Sequence, residues 1–395
     1  MSRLWDKGEA LNERVLNFTA GEDHALDERL VEYDVKASIA HAAMLHQQGH
    51  LTEADLNAIR TGLNELATEH AEGAWTISLA DEDVHTALES RLTDRIGEAG
   101  GRVHLGRSRN DQVLVALRLY LKDATDMLHG AAGGVVDALK SLSTKQGNID
   151  LPGYTHMQQA MPSSVALWAE GFAAEIDDDK AGLKAALRRI DKNPLGSAAG
   201  YGTPGVNLDR AATSDALGFS ATHTPVTAVQ LSRGKAESGL LFEIVQLLSD
   251  LSRLSADLLL FYTQEFAYIS LPKNLTTGSS IMPQKRNPDV LELLRAAPAT
   301  AMGALNEALV ITTKLTSGYH RDLQRLKPPL FRGIDLAADC LLIMAEMLKG
   351  VSFRPESIKL DPGLFAAEQA NKLVVEEGLS FREAYRQVAK KLSDT

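Results

Sequence analysis

The stretch "DQVLVALRLYLKDATDMLHGAAGGVVDALKSLSTKQ", residues 111–146, decides the fold class of this chain. Its apolar residues recur at helical spacing and form one stripe through Val113, Leu117, Leu121, Leu128, Val135 and Leu139. At about 1.5 Å per residue, such a helix would be roughly 50 Å long, which exceeds the usual length of a globular helix. The pattern therefore predicts a chain built around long helices.

Three later stretches have the same helical pattern, and we expect helices over 163–190, 230–266 and 289–315. Leucines cover more than one face of the middle stretch, which indicates burial among several neighbouring helices. Shorter helices are expected over 27–48 and 53–70. No pair of strands is expected, because no two segments alternate apolar and polar residues around a hairpin turn.

The predicted fold is therefore all-α, with a long central helix bundle. We expect this bundle over residues 106–350, flanked by a smaller N-terminal helical domain over 1–105 and a short C-terminal helical domain over 351–395. Helices of this length favour an elongated bundle that assembles with copies of itself.

Composition and charge exclude several classes of function. Lys and Arg number 41 against 52 Asp and Glu, so the formal net charge is −11, which argues against non-specific attraction to nucleic acid or to an anionic membrane. The N-terminal residues carry charges where a secretory signal has its apolar stretch, and no apolar run is as long as a membrane span. We expect a cytoplasmic chain. Its one cysteine, Cys340, lies in an apolar helical stretch and is predicted to be buried rather than catalytic.

Three irregular stretches immediately precede or open a predicted long helix. They are "GRVHLGRSRND" (101–111), "LPGYTHMQQAMP" (151–162) and "GSSIMPQKRNPD" (278–289). A helix N-terminus offers unpaired N–H groups and a partial positive charge, so it attracts carboxylate or phosphate. With Arg107, Arg109, Lys285 and Arg286 on them, these stretches predict a pocket for a multiply charged anion.

The sequence does not favour a cofactor or a metal. The order of residues required for a P-loop is absent, and no dinucleotide fingerprint, H-E-x-x-H motif or Cys-rich metal spacing occurs. We therefore expect a site that works without cofactor and without metal.

Each candidate residue also has a simpler interpretation. Ser279 is typical of a turn or a helix N-cap, and His156 is compatible with an ordinary loop histidine. His85 is compatible with a plain helix position, and Lys285 and Arg286 are compatible with solvated surface charges. Taken residue by residue, these alternatives stay open, and only the joint occurrence of the motifs favours a site.

The joint pattern resembles a known enzyme family. "GSSIMPQKRNPD" is similar to the signature loop G-S-S-x-M-P-x-K-x-N-P of the fumarase/aspartase superfamily. Together with "VHLGRSRNDQV", "LPGYTHMQ", "EDVHTALESRL" and "SGYHRDLQRLK", it resembles the argininosuccinate lyase family, from about Trp5 to about Arg386. Gln284 before the loop lysine is as in that family, whereas Leu105 and Arg286 depart from its usual residues. The chain also ends several tens of residues earlier than typical members.

The resemblance implies a fumarase/aspartase-like fold and a β-elimination that converts argininosuccinate to fumarate and arginine. Ser279 would be the general base on a mobile loop. Lys285 and Asn287 would stabilise the aci-carboxylate that forms when the proton leaves. His156 would assist proton transfer or bind the succinate carboxylate, and Glu292 would orient it.

The resemblance also implies a set of substrate-binding residues. Arg109, Asn110 and Thr155 would hold the succinyl carboxylates. Contacts to the arginine portion would come from Tyr319, Gln324 and Lys327, and the same region would be lined by Asp23, Asp27 and His85.

Assembly is part of the same expectation. If the first two long helices are antiparallel, the "GRSRND" and "GYTHMQ" stretches lie at opposite ends of one chain's bundle, and one chain cannot bring them together. The resemblance implies a homotetramer in which each active site takes its motif stretches from three subunits.

Two other functions remain open at this point. The chain could release fumarate from a different N-substituted aspartate, because the succinate half of the site would be shared and the amine half could differ. It could also be a structural, crystallin-like homologue without turnover. The presence of Ser279, Lys285, His156 and Glu292 together argues against the structural alternative.

Overall fold

The computed structural model describes residues 12–393, and helices dominate this part of the chain. The α-helices are, in chain order, α1 (Glu13–Ala20), α2 (Asp23–Leu26), α3 (Val31–Gln47), α4 (Glu53–Ala71), α5 (Val84–Ile96), α6 (Glu98–Arg102), α7 (Arg109–Gln146), α8 (Val165–Ile190), α9 (Arg210–Ala216), α10 (Val226–Leu231), α11 (Lys235–Tyr262), α12 (Asp289–Thr312), α13 (Lys327–Gly350), α14 (Ala366–Glu377) and α15 (Phe381–Ser393). The short strands are β1 (Asp150–Thr155), β2 (Gln158–Ser164), β3 (Ile269–Ser270), β4 (Thr277–Gly278), β5 (Arg286–Asn287) and β6 (Ser352–Phe353).

The all-α fold class is confirmed, and the predicted long helices are present. α7 has 38 residues and begins two residues before its predicted start. α11 is shorter than the predicted 230–266, because Gly234 takes a left-handed φ of 80° and separates it from α10. α12 ends at Thr312 instead of the predicted 315.

The prediction that the chain has no strand pair is wrong. β1 and β2 form an antiparallel hairpin in which Thr155 pairs with Gln158. Its two turn residues, His156 and Met157, have φ of 52° and 62°. Such turns favour Asn-Gly, so a His-Met turn gives no local signal of a hairpin. α8 consequently begins at Val165, after the hairpin, instead of at the predicted residue 163.

The chain forms two compact units, and each is discontinuous in sequence. Unit 1 contains Met1–Leu128, Gly182–Val245 and Thr300–Asp335, and unit 2 contains His129–Ala181, Gln246–Ala299 and Leu336–Thr395. Both are discontinuous because α7, α8, α11, α12 and α13 each contribute residues to both units. The predicted division into three consecutive domains stays a prediction.

Apolar side chains from distant segments fill the core of each unit. In unit 1, one cluster joins α3, α7 and the loops around α9, with the members Ala37, Val115, Leu119, Leu195 and Phe219. In unit 2, α14 and α15 pack through Ala370, Ala384 and Val388. Cys340 of α13 is buried, as predicted, and burial together with the nearby Asp339 raises the pKa of its thiol to about 11. Across residues 12–393, no helix combines the length and apolar character that a membrane span requires.

Candidate active site

Unit 1 contains a group of charged side chains that are buried or half-buried and that we call the acidic cluster. Its members come from segments that are distant in sequence: Asp23, Asp27, Asp34, Glu82, Asp83, His85, Arg109 and Lys327. Five carboxylates thus surround two permanent cations and one histidine.

Lys327, the first residue of α13, lies at the centre of this cluster. Its side chain is 2% exposed, and its Nζ is 2.6 Å from Asp27 Oδ1 and 3.2 Å from Asp23 Oδ2. Burial alone lowers the pKa of Lys327, but the two carboxylates outweigh burial and raise it. Burial raises the pKa of Asp23 to about 6, against the opposing effect of Lys327. The ammonium is therefore held by two carboxylates.

His85 lies near the start of α5 and is held by a carboxylate. Its Nδ1 is 2.5 Å from Asp34 Oδ2, and Asp34 also accepts a hydrogen bond of 3.1 Å from Ser38. Ser38 in turn accepts one of 2.8 Å from Arg107. Burial lowers the pKa of His85, but Asp34 and Asp83 raise it more strongly. The Nε2 of His85 is buried and has no hydrogen-bond partner among residues 12–393.

Arg109 begins α7 and is engaged by carboxylates of the loop before α5. Its Nε is 2.5 Å from Asp83 Oδ2, and its Nη1 is 3.5 Å from Glu82 Oε2. Asp83 is also the N-cap of α5, where it accepts the N–H of Thr86 at 2.9 Å. Burial raises the pKa of Asp83, but His85 and Arg109 lower it more. An incoming substrate carboxylate would therefore compete with Asp83 for this guanidinium.

The segment before α13 is anchored to the start of the described chain. A 3₁₀ helix spans Arg321–Leu326, and within it Gln324 donates to the backbone carbonyls of Thr19 (2.9 Å) and Ala20 (3.2 Å). Tyr319 precedes this helix and is half-buried, as is Asn110 in the first turn of α7. These predicted amine-side and carboxylate-side residues all belong to unit 1.

Unit 2 carries the signature loop, whose two ends are joined by strands. β4 and β5 pair through Thr277 with Asn287 and through Gly278 with Arg286. Ser279 and Lys285 are the next residues beyond the last pair, so each lies where its strand ends and the loop begins. This pairing gives the loop a fixed base, whereas its side chains from Ser280 to Arg286 are exposed.

The Ser279 hydroxyl oxygen accepts two backbone N–H groups. The N–H of Met282 donates to Oγ at 3.2 Å and that of Ile281 at 3.4 Å. Two donors aimed at one oxygen stabilise negative charge on it. This geometry fits an N-cap-like turn, and it also fits a serine that has to carry an alkoxide.

A cavity of about 700 Å³ lies beside the loop, and three cationic side chains line it. They are Lys285, Arg286 and Arg295, and the anionic lining residues are Asp289 and Glu292. Asn287 also lines this cavity. Within residues 12–393, Lys285 makes no ion pair, so its charge is available to a ligand.

The β1–β2 hairpin presents the remaining predicted residues. Thr155 and His156 are exposed at its turn. His156 takes a left-handed backbone conformation, which costs free energy in a residue other than glycine and is often found at functional sites. A second cavity of about 390 Å³ lies at this hairpin and is lined by His156, Trp168 and Asp257, among others.

The structure thus divides the predicted residues into two sets. Unit 2 brings Lys285, Asn287 and Glu292 together at one cavity, places Ser279 at the base of the same loop, and places Thr155 and His156 at the hairpin turn. Unit 1 contains the other set, namely Asp23, Asp27, His85, Arg109, Asn110, Tyr319, Gln324 and Lys327. No group of three or more possible metal ligands is placed to hold an ion in the described part of the chain.

Sequence reasoning missed several members of the acidic cluster. Glu82 and Asp83 lie in the quoted motif "EDVHTALESRL" but are not among the predicted site residues. No sequence motif contains Asp34. Arg321 was also missed, although its Nη2 is 3.7 Å from Glu82 Oε2. A usable signal for Glu82 and Asp83 is their position three and two residues before His85, in a motif that already contains a candidate residue.

Comparison with known proteins gives the class of this fold and site. Residues 16–303 match a family described as Lyase. Among solved structures, an EDDS lyase in complex with formate is 26% identical with a TM-score of 0.83, covering 96% of this chain and 76% of that one. A class II fumarase from Schistosoma mansoni is 19% identical with a TM-score of 0.79, covering 96% and 88%, and shows the fold alone. The fold and the signature loop therefore define an all-α lyase.

Curated relatives place the chain more narrowly. An argininosuccinate lyase of Sorangium cellulosum is 44% identical over 393 residues, covering 99% of this chain and 91% of that protein. An argininosuccinate lyase of Thermotoga neapolitana is 40% identical over 391 residues, covering 98% of each. The chain belongs to the argininosuccinate lyase family, a family of carbon–nitrogen lyases.

Proposed function

We propose that this chain catalyses the β-elimination of argininosuccinate to fumarate and L-arginine in the cytoplasm, as part of arginine biosynthesis. The observation that carries the proposal is the 44% identity over 393 residues with a protein named argininosuccinate lyase. The aligned region covers 99% of this chain and therefore spans both sets of candidate residues, not only the signature loop.

Ser279 removes the proton next to the substrate carboxylate. Such a proton is weakly acidic, so the base has to be an alkoxide, and the N–H groups of Ile281 and Met282 support the charge on Oγ. Lys285 follows the other end of the loop base and adds a positive charge to the same loop. A free hydroxyl in water would lack both of these stabilising groups.

The aci-carboxylate intermediate is stabilised at the loop cavity. Lys285 and Asn287 line this cavity, and the three cations that line it exceed the two carboxylates. Preorganised cations and N–H donors have their largest effect where charge develops in the transition state. Glu292, in the first turn of α12, lines the same cavity and orients the histidine that transfers the proton.

His156 supplies that histidine from the hairpin turn, with Thr155 beside it to bind the succinyl carboxylate. Both side chains are exposed in the single chain, so they are free to reach a ligand or another subunit. The paired strands on either side of the turn hold the backbone of His156 in its left-handed conformation.

The acidic cluster binds the amine half of the substrate. Asp23 and Asp27 together outnumber the single charge of Lys327, which leaves a net negative charge for the guanidinium or ammonium group of the arginine portion. Tyr319 and Gln324 complete this half, and His85 lies behind it on Asp34. Arg109 and Asn110, at the start of α7, bind the succinyl carboxylates.

The active site is assembled from several copies of the chain in a homotetramer. α7 is about 57 Å long at 1.5 Å per residue, with Arg109 at its start and the hairpin that carries His156 following its end. The long helices also leave large apolar side chains exposed, which favours burial against other copies. These side chains are Met127, Leu167, Phe242, Leu293, Met302, Leu309, Val310 and Leu342.

The direct test measures fumarate release from three substrates supplied separately. We expect the purified chain to release fumarate from argininosuccinate and not from adenylosuccinate or aspartate, with Ser279→Ala as the inactive control. Release from another N-substituted aspartate alone would make the chain a different fumarate-forming lyase. Absence of release from all of them, with a folded tetramer, would leave only the structural role.

A further inference from the structure

Unit 1 contains a second group of buried charged side chains, which lies outside the proposed active site and which we call the arginine pair site. Its members are Arg118 on α7, Arg233 in the turn before α11, and Glu237 in the first turn of α11. Their exposed fractions are 1%, 4% and 1%. Two guanidinium groups face one carboxylate, so one buried positive charge has no anionic counterpart within the group.

The existing contacts of Arg118 satisfy its terminal nitrogens but not its charge. Nη2 donates to Ser232 Oγ at 2.6 Å, and Nη1 donates to the backbone carbonyls of Arg189 and Ile190 at the end of α8. These acceptors are neutral, although a helix C-terminus carries a partial negative charge. Burial lowers the pKa of Arg118 to about 10, while Glu237 raises it and Arg233 lowers it, so the two arginines act on each other.

Arg233 is less well satisfied than Arg118. Its Nε is 3.8 Å from Glu237 Oε1, which is too long for a hydrogen bond. Its Nη2 reaches the carbonyl of Leu323 only at 3.5 Å. Glu237 uses its other oxygen, Oε2, to accept the N–H of Gly234 at 2.7 Å. The ion pair between Arg233 and Glu237 therefore leaves donors on the arginine unused.

The buried polar atoms without partners are mostly donors. Among the described residues, Arg118 Nε, Arg233 Nε and Arg233 Nη1 are buried without a hydrogen-bond partner, as is Glu237 Oε1. Both amide atoms of Gln230, one turn before Arg233, are also unpartnered. Buried donors normally find an acceptor, and each unsatisfied one costs free energy. Water accepts hydrogen bonds but brings two hydrogens of its own and no charge, whereas an anion only accepts and also neutralises the extra cation.

We propose that Arg118 and Arg233 hold a small monovalent inorganic anion, of the size of chloride, as a structural ligand of unit 1. One charge matches the one unbalanced guanidinium, and the three arginine N–H positions and the Gln230 amide supply its donors. The anion ties α7 to the turn before α11. Through the contact of Arg233 with the Leu323 carbonyl, it also supports the 3₁₀ helix that carries Gln324.

The first test follows thermal unfolding at constant ionic strength in sodium chloride, sodium bromide and sodium gluconate. A ligand that binds only the folded state raises its stability with concentration, so the midpoint should be at least ~2 °C higher in either halide than in gluconate, because gluconate is too large to enter. Arg233→Met should abolish this difference. Arg253→Met should keep it, because Arg253 is 77% exposed on α11 and pairs with Asp250 at the surface. Equal midpoints of the wild-type chain in all three salts would overturn the proposal.

A second measurement decides the matter even if Arg233→Met fails to fold. Crystals of the wild-type chain grown in bromide should show an anomalous peak between the two guanidinium groups, within hydrogen-bond distance of Arg118 Nε and Arg233 Nη1. Density for water at that position without anomalous signal, or bromide found only elsewhere, would show that the site holds water and would reject the anion.

Discussion

The two sets of candidate residues differ in how far the contacts within one chain bury them and pair their charges. In the acidic cluster of unit 1, Lys327 and Asp27 are buried and their charges are paired at 2.6 Å. In unit 2, Lys285 and His156 are exposed. A buried pair is costly to form and rigid once formed, whereas an exposed loop can change its partners. From this comparison we propose that amine recognition is built during folding and that the proton-transfer groups are completed by substrate and by other subunits.

The difference between buried, paired charges and exposed charges predicts a separate role for each unit. Rigid, satisfied carboxylates suit the selection of a substrate, because they bind a cation without rearranging. Exposed cationic residues suit the stabilisation of charge that exists only during the reaction, because an exposed loop is free to close over a substrate and to exclude water. Variants in unit 2 should therefore affect mainly turnover, and variants in the acidic cluster should affect mainly binding and stability.

The largest effect is expected from Ser279→Ala. The change removes the proton acceptor but little volume, so kcat should fall by about three powers of ten or more while argininosuccinate still binds. Steady-state assay of fumarate release and a separate binding measurement check both parts. Ser280→Ala, an exposed neighbour on the same loop, is the matched control and should lose far less activity. Activity of Ser279→Ala within tenfold of the wild type would remove this serine from the role of base.

Lys285→Met should have the next largest effect. It removes a positive charge from the cavity where the aci-carboxylate forms, so turnover should fall by about 10²-fold or more. Lys36→Met is the control, because Lys36 is an exposed lysine of α3 that pairs with Glu32 at 2.7 Å. It should stay close to wild-type activity. Similar losses in both variants would mean that Lys285 acts as an ordinary surface charge.

A mixing experiment tests whether the Ser279 and the His156 of one active site come from different chains. Ser279→Ala and His156→Asn tetramers should each be inactive, because each lacks one essential group at every site. The two variants are then dissociated and reassembled at random in equal amounts. A site is intact when its signature loop comes from a His156→Asn chain and its hairpin turn comes from a Ser279→Ala chain. The chance is one half times one half, so about a quarter of the wild-type activity should return under closed tetramer symmetry.

The mixing result is informative only when mixed tetramers have been shown to form. A tag on one variant and native mass spectrometry of the eluted tetramers provide that control. Mixed tetramers without recovered activity would mean that one chain supplies both groups, and the account of unit 2 as incomplete would be wrong.

The sequence predicted what local periodicity determines and missed what long-range contacts determine. α7 was predicted within two residues of its start, because its apolar stripe repeats over 38 residues. The β1–β2 hairpin was missed, because His156 and Met157 in its turn are not residues that favour a positive φ.

For the site, the resemblance supplied the residues but not their charge environment. Lys327 was predicted as a contact to the arginine portion, yet its pairing with Asp27 joins positions 300 residues apart. No spacing rule detects such a pair. The exposed state of the signature loop likewise depends on tertiary structure, since its polar and turn-rich sequence is compatible with a buried or an open loop.

The smallest effect, and the sharpest test of unit 1, is expected from Asp23→Asn. The pKa of Asp23 is raised from 3.8 to about 6 in the folded chain, chiefly by burial. The folded state therefore holds this proton more tightly than the unfolded state does. The resulting stabilisation is fully present below about pH 4 and is lost as the pH rises through 6. Because Asn resembles the protonated acid, the variant should match the wild type at low pH and be more stable at pH 7, by about 3 kcal/mol at most. Denaturant unfolding at both pH values measures this difference, and KM for argininosuccinate should rise, since the variant loses a carboxylate for the amine half. A variant less stable than the wild type at pH 7 would mean that the Asp23–Lys327 contact outweighs the cost of burying the carboxylate, and the account of Asp23 as a carboxylate whose burial costs stability would be wrong.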